Sequence, residues 1–267
     1  MNRYFKLYKA IAKQTLLNLY QYKFATYSWL VGKILEPLVF LIIWKTIAET
    51  GRGIGGFDTN YFVTYYLILM VVGQFTFTFL IWDFEKQIIS GEFSNKLILP
   101  IHPVHYDLAE NIGYKIFSMP VIIIATVALG FYFKARFNGA AVNLLVFCPV
   151  VLLSFLLRFV VEWTISLSAL WLTRSRAIND FYYILLLFFS GRVAPLEVLP
   201  SFIKNIANYL PFRFMISYPI EIVLNPEVDP AFLIKNTLIL ILWLGLALLL
   251  LFQVYNRGIK KYTAVGV

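Results

Sequence analysis

Few side chains in this sequence have the types that hold metal ions or form covalent bonds. The two histidines, His102 and His105, lie close to Asp107, and an H-x-x-H pair can ligate zinc. Pro103 stands between the histidines and disfavours the helix that would align both rings, so we do not predict a metal site. Cys148 is the only cysteine, which excludes a disulfide within the chain.

The motifs of several large enzyme classes are absent from the sequence. It has no G-x-S-x-G nucleophile elbow, no G-x-x-x-x-G-K-[ST] phosphate loop and no cysteine–histidine pairing. We therefore predict a protein that is not an enzyme and has no cofactor of its own. An integral-membrane lipid-modifying enzyme is the alternative, with His102, His105 and Asp107 as its only candidate site.

Two charged pairs lie inside long apolar stretches. Arg158 and Glu162 are one helical turn apart, and an arginine deep in a membrane costs about 2.5–3.5 kcal/mol on insertion scales. Such a residue normally faces protein, a partner charge or water, so the pair either orients its helix or serves a cavity or gate. Lys33 and Glu36 allow the same two interpretations, although Lys33 can also extend to the inner interface.

These residues belong to a chain dominated by apolar stretches. Of its 267 residues 60% are hydrophobic and 14% are charged, too apolar a composition for a soluble domain. Six stretches of at least 20 residues can each cross the roughly 30 Å hydrocarbon core: Tyr27–Ala48, Tyr61–Ile81, Gly113–Phe133, Val142–Leu172, Ile178–Val198 and Phe232–Tyr255. The sequence predicts an all-α polytopic membrane protein with six transmembrane helices, residues 1–267 forming one domain.

The positive charges are unevenly distributed between the connecting segments. With the N-terminus inside, twelve Lys and Arg are cytosolic, namely Arg3, Lys6, Lys9, Lys13, Lys23, Lys86, Lys96, Arg174, Arg176, Arg257, Lys260 and Lys261. Five are external, namely Arg52, Lys134, Arg136, Lys204 and Arg213. This excess predicts that both termini are cytosolic and that the formal charge of +9 faces anionic lipid rather than nucleic acid.

Residues 1–25 have the pattern of an interfacial amphipathic helix. Between residues 4 and 22 the apolar side chains share one face, namely Phe5, Tyr8, Ala12, Leu16 and Leu19. Lys6, Lys9 and Lys13 occupy the other face, which suits a helix lying among anionic headgroups. An ordinary basic leader before the first span is the alternative interpretation.

Two connecting segments stand out. Residues 82–112 carry five acids, Asp83, Glu85, Glu92, Asp107 and Glu110, against two lysines, and short helices are predicted at Asp83–Ile89 and Ser94–Leu99. An acidic patch on a basic face indicates protein docking, or else a merely solvated loop.

Residues 191–230 are cut by prolines into pieces too short to cross a bilayer, namely at Pro195, Pro200, Pro211, Pro219, Pro226 and Pro230. Between Pro200 and Pro211, Phe202, Ile203, Ile206 and Leu210 line one face of a predicted helix. We predict a re-entrant outer hairpin that acts as a lid, or else a structured external loop.

Two stretches resemble a known family. Ile89–Asp107, ISGEFSNKLILPIHPVHYD, is similar to the G-E-[LF]-x-x-x-L-x-x-P coupling segment of type-2 permeases of ATP-binding-cassette exporters. Ser190–Pro219, SGRVAPLEVLP…LPFRFMISYP, resembles their SG…PL…P…LPF…P outer hairpin, although Arg192 stands where a small or apolar residue is expected. Arg158 with ALWLT at 169–173 resembles their fourth span. The closest branch is the bacterial half-permeases often encoded in pairs beside an ATPase gene.

The resemblance implies a function and partners. Such permeases form homodimers or pairs with a related permease in the bacterial plasma membrane, and two cytosolic ATPase subunits bind ATP and Mg. Alternating access would export a hydrophobic or amphipathic substrate. Gly91, Glu92, Phe93, Asn95 and Lys96 would seat in a groove of the ATPase, and Pro195, Pro200 and Pro211 would belong to an outer gate. A channel or scaffold fits less well, because no pore-lining polar stripe is evident.

Overall fold

Helices make up all the regular secondary structure that the structure describes. The structure is a computed structural model, and it describes residues 3–50, 56–137, 141–172, 175–225 and 229–262. The chain is 83% helical and these residues contain no strand, which confirms the all-α prediction. Arg52, Arg174 and Pro226, used in the charge and proline arguments above, lie outside the described residues.

The helices of the first half are α1 (Arg3–Gln21), α2 (Lys23–Glu49), α3 (Thr59–Thr76), α4 (Leu80–Ile89), α5 (Glu92–Leu97) and α6 (Val104–Tyr132). Those of the second half are α7 (Ala141–Ser166), α8 (Arg176–Phe189), α9 (Ser201–Ala207), α10 (Pro211–Met215), α11 (Ser217–Leu224) and α12 (Pro230–Ile259). Short 3₁₀ turns occupy Leu167–Leu170 and Leu196–Val198.

Four helical segments of the described chain are long and apolar enough to cross a membrane, namely Thr59–Ile89, Val104–Tyr132, Asn143–Leu170 and Pro230–Ile259. They contain the second and sixth predicted stretches, cover nearly all of the third and fourth, and identify a polytopic membrane protein. The first stretch lies within α2, a helix of 27 residues and about 40 Å.

The fifth predicted stretch, Ile178–Val198, differs from the prediction. Its helix α8 has 14 residues, about 21 Å, and ends at Phe189. The chain turns immediately afterwards, because Gly191 adopts a left-handed backbone with φ of 83°. The remainder of the stretch is a turn and a 3₁₀ segment.

Helix α3 is the centre of the fold. Most of its side chains are buried, among them Tyr65 and Tyr66, and it packs against α2, α6, α7 and α11. Its sequence is apolar on every side, which is typical of a helix surrounded by protein. Helix α12 instead leaves about half of its apolar side chains exposed and buries few of them fully.

Helix α1 is present where the sequence predicts it, and it lies against α6. Gly113 of α6 permits the close approach, because a Cβ there would lie 2.9 Å from Ala12 Cα and 2.9 Å from Thr15 Cβ. Tyr8, Ala12, Leu16 and Leu19 of the predicted apolar face are half-buried, Phe5 is exposed, and Lys6, Lys9 and Lys13 are exposed.

Candidate functional site

The connection between α4 and α6 forms a compact projection, which we call the foot (residues 89–103). It consists of the last residue of α4, helix α5 and the turns around them. The two short helices predicted between residues 82 and 112, Asp83–Ile89 and Ser94–Leu99, correspond to α4 (Leu80–Ile89) and α5 (Glu92–Leu97). Gly91 begins α5 with φ of 74°, a left-handed conformation that glycine adopts without steric cost. Leu97 ends α5 three residues before Pro100, which cannot continue a helix.

Two side chains of the foot point into the protein. Phe93 is fully buried, and its ring centre lies 4.9 Å from that of Phe84 and 5.6 Å from that of Tyr262. Lys96 is also buried, with its Nζ 2.9 Å from Gln87 Oε1 and 2.9 Å from Asp107 Oδ1. Phe93 and Lys96 therefore fix the foot on the helices beneath it.

Asp107 connects the foot to two long helices. It lies in the first turn of α6, and its Oδ2 accepts a hydrogen bond of 2.8 Å from Trp163 Nε1 of α7. Burial lowers the pKa of the Lys96 ammonium, but the carboxylates of Asp107 and Glu92 outweigh burial and raise its pKa above 10.5. Lys96 is therefore charged, and the contact is a buried ion pair.

The outer surface of the foot combines polar and apolar side chains. Glu92 and Asn95 are exposed, and Glu92 Oε1 lies 3.1 Å from Lys96 Nζ. Ile89, Ile98 and Leu99 are 59%, 83% and 44% exposed. Exposed apolar side chains beside an acid are typical of a protein-binding surface.

A second group of charges lies inside the bundle, around Arg158. Arg158 Nε donates a hydrogen bond of 2.6 Å to Glu162 Oε1, and both side chains are fully buried. Thr78 and Tyr182 also donate to Glu162, the tyrosine at 3.2 Å. The predicted pair is thus present as an ion pair that joins α7 to α8 and to the break between α3 and α4.

Lys33 and Glu36 do not form a pair with each other. Glu36 accepts two hydrogen bonds from Arg192 Nη2, of 2.6 and 2.8 Å, from the turn after α8. Lys33 Nζ lies 3.7 Å from the centre of the Phe77 ring and makes no ion pair with any described residue. Arg192, the departure from the family pattern, therefore has a partner within the chain.

The turn that carries Arg192 is held by side chains of α2 and α3. Tyr65 OH donates to Gly191 O at 2.8 Å, and Val193 O accepts from Tyr66 OH at 2.7 Å and from Trp44 Nε1 at 2.8 Å. The carbonyl groups of Gly191 and Val193 therefore have their hydrogen-bond donors within the chain.

The three prolines of the predicted gate lie at the starts of short helical segments. Pro195 precedes the 3₁₀ turn Leu196–Val198, Pro200 precedes α9, and Pro211 is in the first turn of α10. Each proline supplies a fixed φ where the missing N–H costs nothing. In α9, Phe202 and Ile206 of the predicted apolar face are exposed and only Ala207 is buried.

Comparison with known families decides the assignment. A family model described as ABC-2 family transporter protein matches residues 34–266, well over half of the chain. The chain belongs to the ABC-2 transporter family. None of the curated proteins that were searched matches it.

As an ABC-2 family member, the protein is a transmembrane component of a transporter and fits the role of permease subunit. Permeases of this family work with an ATPase subunit and are normally not enzymes themselves. The comparisons give no support to a lipid-modifying enzyme. A membrane location follows from the family and from the apolar helices.

The histidines of this ABC-2 protein are engaged with aromatic side chains. His105 Nδ1 lies 2.9 Å from Tyr8 OH of α1, and the His102 ring centre lies 4.3 Å from that of Tyr255 in α12. The described residues contain no group of three metal-ligating side chains. Burial and His105 lower the pKa of His102 below 6.5, which Asp107 partly offsets.

Two groups of residues in this ABC-2 protein are evident only in the structure. Ile89, Ile98 and Leu99 are exposed on the foot, and their position next to turn-forming glycine and proline is the sequence signal by which they could be found. Arg213 donates to Glu221 Oε2 at 2.5 Å and to Asn236 Oδ1 at 2.7 Å, and no sequence pattern predicts this contact between α10, α11 and α12.

Proposed function

We propose that this chain is the permease subunit of an ATP-binding-cassette exporter in the bacterial plasma membrane. It crosses the membrane six times, the fifth time through α8 together with the turn after it, and both termini are in the cytosol. It forms a dimer with itself or a related permease. A hydrophobic or amphipathic substrate leaves the cell by alternating access, driven by ATP and Mg bound to partner ATPase subunits.

The foot is the observation that carries this proposal. Its outer surface offers Glu92, Asn95 and the apolar Ile98 to a partner, while Lys96 on its inner side is paired with Asp107. A helix held by a buried ion pair and by Phe93 transmits a rigid-body displacement, which a floppy loop does not. Gly91, Glu92 and Asn95 make up the face toward the ATPase, and Phe93 and Lys96 carry the displacement inward.

The outer hairpin supports the role of an outer gate. Pro195, Pro200 and Pro211 divide it into short rigid pieces, and the hydrogen bonds to Gly191 O and Val193 O tie it to α2 and α3. A movement of α2 or α3 that starts at the foot therefore reaches the hairpin. The exposed apolar faces of α6 and α12 remain available to lipid and to the second permease.

Affinity purification in mild detergent tests the proposal. Wild-type protein should retain an ATP-binding-cassette ATPase when both are expressed together, whereas Glu92→Lys and Ile98→Asp should each reduce retention at least about tenfold. The matched control is Glu49→Lys, which reverses an exposed charge at the C-terminal end of α2, away from the foot. This variant should retain the ATPase. Equal retention by all variants, at equal thermal stability, would refute the assignment of the foot.

A further inference from the structure

A small cleft lies among α2, α3, α7 and the turn after α8. Lys33, Glu36, Arg158 and Arg192 line it together with apolar side chains that include Phe40 and Phe77. If the membrane begins at Tyr27, Lys33 and Glu36 lie about 9 and 14 Å along the axis of α2, inside the hydrocarbon core. The cleft is therefore a polar site at membrane depth.

The cleft has more positive than negative charge. Lys33, Arg158 and Arg192 line it against the single carboxylate of Glu36, which Arg192 engages. Glu162, which does not line the cleft, accepts a hydrogen bond from Arg158 Nε. Arg158 Nη2 is buried and has no hydrogen-bond partner among the described residues. Lys115 adds a further amine behind Phe77, where its Nζ donates to Phe77 O at 2.7 Å.

The ammonium of Lys33 has fewer polar partners than any other charged group of the cleft. It makes no hydrogen bond or ion pair with a described residue, and it lies 3.7 Å from the Phe77 ring centre and 4.9 Å from the Trp29 ring centre. Aromatic faces stabilise a cation by less than it costs to place a charge in a membrane. Lys33 is only half-buried, so a molecule outside the protomer can reach it.

We propose that this cleft binds the acidic group of an amphipathic molecule, a carboxylate or phosphate whose apolar tail remains outside. The oxygens of such a group accept charge-assisted hydrogen bonds from Lys33 Nζ and Arg158 Nη2, the two donors that lack partners. The cavity volume of about 30 Å³ has room for an acidic headgroup but excludes a whole organic substrate. Phe40 and Phe77 contact the first carbons of the tail.

That the bound molecule is the transported substrate rests on the proposed function as an exporter. The binding of an acid in the cleft does not. Because the cleft borders α2 and the Arg192 turn, an acid bound there contacts the Arg192–Glu36 pair and hence the turn that leads to the outer hairpin. The exported molecule would therefore be an amphipathic acid, and neutral or cationic amphiphiles would be excluded.

Equilibrium binding of hexadecyl phosphate tests the site. The full-length chain in phosphatidylcholine nanodiscs should bind radiolabelled hexadecyl phosphate saturably, and hexadecanol and hexadecyltrimethylammonium should not displace it. Lys33→Gln should weaken binding at least about tenfold, equivalent to about 1.4 kcal/mol. Lys45→Gln, a lysine on the same helix that pairs with Glu49, is the matched control and should bind like wild type. Equal displacement by all three amphiphiles, or unchanged binding by Lys33→Gln, would overturn the proposal.

Phosphatidylglycerol distinguishes the two sources of the acidic group. If a membrane lipid occupies the cleft, adding phosphatidylglycerol to the nanodiscs should compete with hexadecyl phosphate, and Lys33→Gln should remove that competition. If the site selects single-chain acids, phosphatidylglycerol should not compete; both results support an acid-binding cleft. The assay needs no ATPase, so its failure is separate from a failure of the foot to retain the ATPase.

Discussion

Lys96 Nζ lies 2.9 Å from Asp107 Oδ1, and this buried ion pair joins the foot to the first turn of α6. The other oxygen of Asp107 accepts from Trp163 of α7 at 2.8 Å, so a single carboxylate links a surface helix to two long helices. This arrangement attaches the foot firmly to the helical bundle.

Replacing Asp107 by Asn should weaken that link. The substitution keeps the shape of the side chain but leaves Lys96 buried without its nearest charge, so we expect the free energy of unfolding to fall by about 1 to 3 kcal/mol. Thermal unfolding in detergent measures the change. Asp83→Asn removes the exposed pair with Lys86 and should have almost no effect. Equal unfolding temperatures for Asp107→Asn and Asp83→Asn would contradict the claim that the Asp107–Lys96 pair holds the foot on the bundle.

Replacing Glu162 by Gln should be more damaging. Arg158 would remain fully buried without a carboxylate, and breaking a buried ion pair costs about 3 to 5 kcal/mol. Asp180→Asn, which breaks the exposed contact with Arg176, is the control. If Glu162→Gln unfolds at the same temperature as Asp180→Asn, then the cluster does not stabilise the bundle.

Replacing Gly113 by Ala should separate α1 from α6. The new Cβ would overlap Ala12 and Thr15, and the backbone shifts that relieve such overlap cost about 1 to 3 kcal/mol. Gly245→Ala on α12 provides the control, because the added Cβ would lie within 4 Å of no described atom beyond its own stretch of helix. Limited proteolysis should cleave α1 faster in Gly113→Ala only, and equal cleavage rates would show that the two helices do not pack as described.

Acidification should loosen the contact between His102 and α12. Because the folded protein lowers the pKa of His102 below 6.5, the neutral ring is favoured and its stabilisation is complete above about pH 6.5. The stabilisation is lost as the pH falls below that value. His102→Phe retains an aromatic ring against Tyr255 but does not titrate, so its unfolding temperature should fall less on acidification than that of the wild type. If the unfolding temperatures of the wild type and of His102→Phe fall equally with pH, then His102 does not contribute a pH-dependent stabilisation.

The long helices could be predicted from the sequence because bilayer-length apolar stretches are a local property. The α6 helix begins at Val104 rather than at Gly113, because Asp107 and Asn111 on its first turns face protein instead of water. The break after α8 was harder to predict, since it depends on the left-handed backbone of Gly191 within an apolar stretch.

Only one of the two charge pairings inside the bundle could be predicted. Arg158 and Glu162 are four residues apart on one helix, so their contact followed from helical geometry. Glu36 instead pairs with Arg192, 156 residues away, and only the folded chain brings them together. The resemblance to the coupling segment points to Glu92, Phe93, Asn95 and Lys96 together. Which of them face inward is evident only in the structure.

Photo-crosslinking from the foot in living cells tests the central claim most directly. Benzoylphenylalanine in place of the exposed Asn95 should form a covalent adduct with an ATP-binding-cassette ATPase. The same probe in place of Tyr209, which is 76% exposed in the outer hairpin, should not. An ATPase adduct from position 209 and none from position 95 would contradict both the orientation of the chain and the role of the foot.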